Sequence, residues 1–521
     1  MLDIQIRNGI IYDGTGGAPY RGCVDILGDR IVSVGQGDRE AGIVIDAAGK
    51  CVCPGFVDAH SHCDLAAVSL WEMEGCLRQG VTSCVAGNCG FSPFPLTKQT
   101  NKSVLHYSEG ILGSSSWGYE DFCSYRQMLK REKTAVNVIS LVGHGPLHIK
   151  HLGYARREAS RRELLAMCEE LEQLLEQGAA GLSFGLIYVP GVYTGEQEVR
   201  ALAEVLARRD RILAVHLRNE GAGLLQSVEE MLRVAEMTGV RVQLSHHKVM
   251  GEAYWGRSVQ TLAKVREAKE RGIRVSLDVY PYTAACSTAM VLLPPWVLEH
   301  GTQEAMEILQ QEAAYERIAG DLQDGILGWE NLVKSCGYDR LVVVRTGSRD
   351  GTVQGKTLRQ VAKERGTEPL RSLLELLVRE QGEVNVKIMG MCAQDVQRIL
   401  LDEAAVIGSD GLYAPGATHP RKNGTFGRII RDFVGEQKLL PMEKAIWKMT
   451  GRTAEIFGIS HRGVLKTGNF ADVLAFHPEK FRDRADYEHP ERFAVGMDEV
   501  ILNGKLAIRE GILSKNKYGC V

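Results

Sequence analysis

The chain has 521 residues, which is long enough for one large α/β domain accompanied by smaller ones. Apolar residues make up 44% and charged residues 24%, as in an ordinary enzyme, and this composition excludes an intrinsically disordered chain. The formal net charge of -3 excludes the basic surface that binds nucleic acid or anionic membranes, so we expect a small-molecule partner.

The cysteines and the apolar segments indicate the compartment. Thirteen cysteines at irregular spacings, an odd number, argue against a complete disulfide framework. The first residues lack the pattern of a secretory signal, and no segment reaches the roughly 18 consecutive apolar residues needed to cross a bilayer. We therefore expect a cytoplasmic protein without a membrane partner; the sequence leaves its oligomeric state open, a homo-oligomer included.

Short strands separated by glycine and aspartate turns fill residues 1–53. The same pattern returns near the end of the chain, at residues 471–476 and 500–505. We predict that residues 1–53 and 461–521 meet in one small β-sandwich domain.

Between these two parts, short apolar strands alternate with helix-period segments such as 161–178 and 258–271. Eight candidate strands end at His60, Asn88, His144, Phe184, His216, His246, Tyr280 and Asp410. Such alternation favours an α/β fold with a (β/α)₈ TIM-type barrel.

The step from the seventh to the eighth strand is too long for one helix. It contains a helix-like segment at 302–319 and a strand-like segment at 341–344. We predict an inserted small subdomain at 285–348, with the catalytic barrel formed by 54–284 and 349–460.

Polar side chains follow several of these strands at the end where barrel enzymes carry their active sites. They are His60, His62, Cys89, His216, His246 and Asp410. Each has an ordinary explanation on its own: a buried structural cysteine, a core histidine, or an aspartate in a turn. Their joint placement at one rim favours a metal site, because imidazole and thiolate are preferred zinc ligands.

The motifs around these residues resemble those of a known family. Residues 54–62, 87–90, 245–248 and 409–411, together with His216, are similar to motifs of the N-acyl-D-amino-acid deacylases, or D-aminoacylases, of the metal-dependent amidohydrolase superfamily. The resemblance extends to 8–14 and 462–472, nearly the whole chain.

The resemblance implies that Cys89, His216 and His246 hold one tight Zn²⁺, and that His60 and His62 contribute to a second, weaker site. It also implies that Asp410 is catalytic and moves the proton. Hydantoinase-like relatives carry a carboxylated lysine on the fourth strand, and residues 181–188 contain no lysine.

The resemblance also implies a set of substrate-binding residues. Lys248 and Tyr280 match positions that bind the substrate carboxylate, and Ser287 is a third candidate; a solvated lysine and a core tyrosine are the alternatives. Family members that act on acidic substrates place an arginine in the segment that corresponds to 289–294, which carries no cation here. We expect an apolar D-side chain, although Arg421 offers a cation that would suit N-acyl-D-glutamate.

We therefore expect a zinc-dependent hydrolase that releases a carboxylate and a D-amino acid from N-acyl-D-amino acids. A cyclic amidase or hydantoinase-like enzyme, or a dipeptidase-like one, is the alternative on the same fold. A catalytically silent scaffold is a third possibility, but such proteins usually lose metal ligands and none is lost here. Two other histidines are assigned supporting roles: His144 lines the pocket, and His247 packs behind it.

Overall fold

The structure is a computed structural model that describes residues 1–37, 39–97, 108, 111–112, 118–348, 350–413 and 419–521. Its strands are β1 (Leu2–Ile11), β2 (Tyr20–Leu27), β3 (Arg30–Gly35), β4 (Ala41–Asp46), β5 (Cys51–Pro54), β6 (Phe56–Asp58), β7 (Val81–Ala86), β8 (Asn137–Ser140), β9 (Val142–Gly143), β10 (Gly181–Gly185), β11 (Ile212–His216), β12 (Arg241–Leu244), β13 (Val275–Val279), β14 (Ala285–Thr288), β15 (Leu341–Thr346), β16 (Val384–Ile388), β17 (Ala405–Ile407), β18 (Val473–Phe476), β19 (Met497–Leu502), β20 (Lys505–Arg509) and β21 (Ile512–Leu513).

The α-helices of the described residues are α1 (Leu70–Arg78), α2 (Phe122–Glu132), α3 (His144–Leu152), α4 (Arg161–Glu176), α5 (Glu196–Arg208), α6 (Leu224–Thr238), α7 (Ser258–Glu270), α8 (Thr302–Ile308), α9 (Glu312–Asp324), α10 (Leu332–Cys336), α11 (Leu358–Arg365), α12 (Pro369–Arg379), α13 (Ala393–Leu401), α14 (Arg421–Arg428), α15 (Met442–Met449) and α16 (Gly451–Phe457). A π-helix, Ile429–Glu436, follows α14. Among these helices, none combines the length and the apolar character needed to span a bilayer.

Two parallel sheets form the barrel. One has the order β6-β7-β8 and the other β9-β10-β11-β12-β13-β17, and β8 and β9 are one strand interrupted at Leu141. The ring closes where the Ala59 N–H donates to the Ile407 carbonyl at 3.1 Å, next to β6 and β17. The predicted (β/α)₈ barrel is thus confirmed, and each predicted strand is present.

The barrel strands form because their apolar side chains are covered on both faces. All five residues of Ile212–His216 are buried, as expected for a parallel strand enclosed by helices. The surrounding helices carry their own start signals: Ser160 and Glu163 form a capping box at the start of α4.

Strands from both ends of the chain share a nine-stranded sheet with the order β21-β20-β19-β18-β5-β1-β2-β3, in which β4 pairs with β1. Ile6 of the first strand and Val473 and Ile501 near the end belong to one buried cluster. The two ends of the chain therefore have a common core.

A second core lies under the segment inserted between β13 and β17. It includes Trp296, Ile318 and Leu373, and it packs around the antiparallel sheet β14-β16-β15. The middle strand, Val384–Ile388, lies beyond residue 348, where the predicted subdomain ends. The boundaries 285–348 therefore stay a prediction. The helix predicted over 302–319 is two helices, because Gln311 is extended between them.

Candidate metal centre and active site

The carboxyl ends of the barrel strands bring the predicted ligands together. His60 and His62 follow β6, Cys89 follows β7, His216 ends β11 and His246 follows β12. All five side chains are buried. Residues that are up to 186 positions apart in the sequence therefore share one rim.

The cysteine lies at the centre of this group. Cys89 Sγ is 3.3 Å from His60 Nε2 and 3.3 Å from His246 Nε2. Donor atoms of Cys89, His60 and His62 lie within 4.8 Å of one another, and so do those of Cys89, His216 and His246. The Cys89 sulfur is thus shared by two three-residue groups, and each group has the nitrogen and sulfur donors that zinc prefers.

His216 provides a separate test of this fit. Both of its ring nitrogens are buried and have no hydrogen-bond partner in the structure. A buried polar atom left without a partner costs roughly 1–3 kcal/mol. A metal ion between Cys89, His216 and His246 would remove part of that cost.

The backbone of the rim is unusual at three of these positions. Cys89, His246 and Asp410 adopt left-handed conformations with φ of 54°, 35° and 50°. For residues other than glycine such conformations are uncommon and are concentrated at functional sites. The fold holds these three side chains in place against a local conformational cost.

Two carboxylates behind the histidines were missed by the sequence reasoning. Asp278 Oδ1 lies 3.2 Å from His60 Nδ1 and accepts the backbone N–H of His246 at 2.8 Å. Glu220 Oε1 lies 3.2 Å from His246 Nδ1. Such carboxylates orient metal-binding imidazoles. The only sequence signals were their positions: Glu220 is four residues after His216, and Asp278 is two residues before Tyr280.

Asp410 faces the same centre from the eighth strand. Its Oδ1 lies 3.2 Å from His62 Nε2, and its Oδ2 lies 2.7 Å from Arg421 Nη1. Burial would raise the pKa of Asp410, but the guanidinium of Arg421 and the nearby His246 hold this pKa well below its usual range. The carboxylate is therefore ionised and able to accept a proton.

A pocket of about 500 Å³ opens onto this rim. Lys248, Ser287 and Arg421 line it, as do His62, Cys89, His216, His246 and Asp410. Lys248 is already engaged, because its Nζ donates to Glu220 Oε1 at 2.7 Å. Ser287 Oγ lies 3.1 Å from the Tyr188 hydroxyl.

Tyr280 is not part of the pocket wall. It is buried in the core of the inserted segment, and its hydroxyl lies 4.0 Å from the sulfur of Met391. Its ring supports the Arg421 guanidinium at 4.9 Å. His144 does not line the pocket either. His247 packs behind the pocket, and its ring contacts the Thr261 hydroxyl at 2.8 Å.

An apolar cavity of about 690 Å³ adjoins the rim pocket. Both are lined by Phe91, Ile187, Tyr188 and Val291, so the two spaces share a wall. Met290, Leu293 and Trp329 are among the other residues that line the cavity. The inserted segment thus builds an apolar chamber next to the proposed metal ligands.

A closed parallel barrel with histidines, a shared cysteine and an ionised aspartate at its rim defines a metal-dependent hydrolase. Comparison with known proteins agrees: the model of the amidohydrolase family matches residues 43–508. The chain belongs to the amidohydrolase family, within its group of N-acyl-D-amino-acid deacylases.

Two curated relatives come from Alcaligenes xylosoxydans xylosoxydans. The chain is 33% identical to an N-acyl-D-glutamate deacylase over 96% of its own length and 93% of the relative's. It is 32% identical to a D-aminoacylase over 96% and 94%.

Solved structures show the same relationship. N-acyl-D-glutamate deacylase from Bordetella bronchiseptica, complexed with zinc and a phosphonate inhibitor, superposes with a TM-score of 0.86 at 30% identity, covering 100% of this chain and 99% of that one. A D-aminoacylase described as having a binuclear metal centre superposes with a TM-score of 0.85 at 31% identity, with the same coverage.

Proposed function

We propose that this protein is a zinc-dependent hydrolase that cleaves the amide bond of N-acyl-D-amino acids and prefers an apolar D-side chain. The observation that carries the proposal is the ionised Asp410 beside two groups of metal-binding donors, in a pocket that adjoins an apolar chamber. The similarity to enzymes that act on N-acyl-D-amino acids supports the substrate class.

Cys89, His216 and His246 would hold one zinc ion tightly, and His60 and His62 would complete a weaker second site with the shared thiolate. When bound, zinc polarises the amide carbonyl and lowers the pKa of water beside it. The cytoplasm suits this site, because Cys89 must stay reduced to bind metal and none of the thirteen cysteines, all within the described residues, is in a disulfide.

Asp410 carries the proton in this proposal. Its carboxylate takes a proton from the attacking water as the new C–O bond forms, and delivers it to the amide nitrogen as the C–N bond breaks. The products are a carboxylate and a free D-amino acid. Arg421 keeps Asp410 ionised before the reaction and so keeps it ready to act as the base.

Arg421 is also the best candidate for binding the substrate carboxylate. It is buried in the pocket wall, and its Nη2 donates to the Cys286 carbonyl at 3.1 Å. Its Nε has no hydrogen-bond partner in the structure, whereas its Nη1 pairs with Asp410 Oδ2 at 2.7 Å. A carboxylate in the pocket would satisfy Nε, with Ser287 as a second donor and Lys248 as a nearby charge.

The apolar chamber supports the preference for an apolar side chain. None of the described residues that line it is a cation, and Glu383, the charged residue in its wall, pairs with Arg345 at 3.2 Å. An acidic side chain would lose its hydration there without a cation in the wall to compensate. Burying a side chain the size of methionine or leucine contributes about 1.5–3 kcal/mol, which corresponds to roughly 10- to 150-fold in kcat/KM.

A substrate panel tests this proposal. Release of free amine is measured with ninhydrin for N-acetyl-D-methionine, its L-enantiomer, N-acetyl-D-glutamate and a hydantoin, with and without added zinc. We expect zinc-dependent hydrolysis of the D-methionine compound above all others. Equal rates on both enantiomers would refute the proposed function, and faster hydrolysis of the D-glutamate compound would refute the role of the chamber.

A pair of matched variants separates the chamber from general effects. Val291→Arg places a cation in the wall that the chamber and the pocket share, whereas Val259→Arg makes the same change at an exposed site on α7. We expect only Val291→Arg to shift the ratio of kcat/KM from the D-methionine towards the D-glutamate substrate.

A further inference from the structure

A second cluster of metal-binding side chains lies outside the rim. His144 and His148 are on α3, directly after strand β9, and Glu198 is on α5. The two histidines are fully buried and Glu198 is 3% exposed. None of the three lines the rim pocket or the apolar chamber.

The three side chains point at one another. His144 Nε2 lies 2.6 Å and His148 Nδ1 lies 2.9 Å from the same oxygen, Glu198 Oε1. Donor atoms of all three residues lie within 4.8 Å of one another. Histidines four residues apart share one face of a helix, and with a glutamate from a second element they make a His₂Glu ligand set, which zinc uses elsewhere.

Hydrogen bonding alone leaves this cluster incomplete. Glu198 Oε2, His144 Nδ1 and His148 Nε2 are all buried and have no hydrogen-bond partner. Both imidazoles contact a single carboxylate oxygen while the other oxygen has no partner. In the part of the chain that the structure describes, Glu198 has ion pairs with these two histidines and with no lysine or arginine.

A divalent cation would complete the cluster. It would neutralise a carboxylate that is otherwise buried without a fixed positive charge, and it could use the second oxygen as well as the first. The nitrogens that now face Glu198 would turn their lone pairs towards the ion. Nitrogen and carboxylate donors together suit zinc and similar transition metals better than calcium or magnesium.

We propose that His144, His148 and Glu198 form a further metal site, distinct from the rim, that takes zinc or a similar divalent transition metal. The ion joins the start of α3 to α5, two of the helices that surround the barrel. The site is structural in character, because it lies in the core and opens onto neither cavity. This inference does not depend on the proposed substrate.

The metal content of the full-length protein tests the proposal. Wild type, His148→Gln and Glu198→Gln are stripped with a chelator, dialysed against buffered zinc and analysed by mass spectrometry. His151→Gln is the matched control: this histidine is also on α3 but contacts Glu170 at 2.7 Å. We expect both cluster variants to bind one zinc ion fewer than wild type, and the control to bind the full number.

Equal zinc content in wild type and His148→Gln would overturn the proposal and leave a hydrogen-bonded triad. His148→Gln keeps the buried carboxylate and one histidine, so it serves if Glu198→Gln does not fold. Anomalous diffraction of zinc-loaded wild-type crystals at the zinc edge needs no variant. An anomalous peak between the three side chains would support the site. Anomalous peaks at the rim with no peak between these three side chains would refute it.

Discussion

Replacing Asp410 with asparagine would remove the proposed proton carrier while keeping its shape. In the structure Asp410 Oδ1 lies 3.2 Å from His62 Nε2, and Oδ2 lies 2.7 Å from Arg421 Nη1. The asparagine oxygen can still accept from Arg421, but its other atom becomes an N–H donor facing the histidines. The variant should therefore fold and keep the zinc held by Cys89, His216 and His246, yet be unable to accept a proton.

The size of the effect follows from that single loss. General acid–base catalysis contributes about 10²- to 10⁴-fold, or about 2.7–5.4 kcal/mol of the barrier. Because Asp410 is proposed to act on both the attacking water and the leaving amine, we expect kcat to fall by about 10³- to 10⁴-fold. KM should change little, since Arg421 and Ser287 are untouched.

Initial rates on N-acetyl-D-methionine and zinc content by mass spectrometry check this prediction together. Asp432→Asn is the matched control, because Asp432 is a buried aspartate that pairs with Arg428 and Arg431 away from the rim. It should keep wild-type kcat. Asp410→Asn with full zinc and kcat within tenfold of wild type would refute the assignment, and loss of zinc would make Asp410 a ligand instead.

Cys89→Ala should lose the tightly bound zinc after dialysis, measured by mass spectrometry, because it removes the donor shared by both groups. Arg421→Met should raise KM by roughly 10- to 150-fold, from about 1.5–3 kcal/mol for hydrogen bonds to a charged group; unchanged KM in steady-state kinetics would contradict its role. Burial lowers the pKa of Lys448 to about 8. The unfolded chain, with a lysine pKa of about 10.4, then binds more protons between about pH 8 and 10, so Lys448 makes the unfolding free energy rise with pH there. Lys448→Met should flatten that rise in urea titrations, and an unchanged slope would contradict this explanation.

Local patterns were enough to locate the barrel strands and the donors that follow them. A run such as Ile212–His216 is apolar because it is covered on both faces, and a histidine at its end is brought to the rim by the fold itself. The resemblance of these motifs to one family identified their chemistry. The comparisons confirm that membership, whereas the roles of the individual side chains stay predictions.

The surroundings of the donors could not be predicted in the same way. The side chain of Tyr280 is in the core and supports Arg421, which is 141 residues away in sequence, and its predicted role in binding the substrate stays a prediction. His144 was expected at the pocket and instead faces Glu198. In both cases the direction of a side chain depends on neighbours from other elements, which a linear pattern does not specify.

The sequence by itself determined the class of fold and the type of ligands, because strand periodicity and residue chemistry are local properties. Only the tertiary structure showed which carboxylates stand behind the histidines, namely Asp278 behind His60 and Glu220 behind His246. It also showed that the inserted segment encloses an apolar chamber beside the rim. These features arise from packing between distant parts of the chain, where burial decides the partners of each charged group.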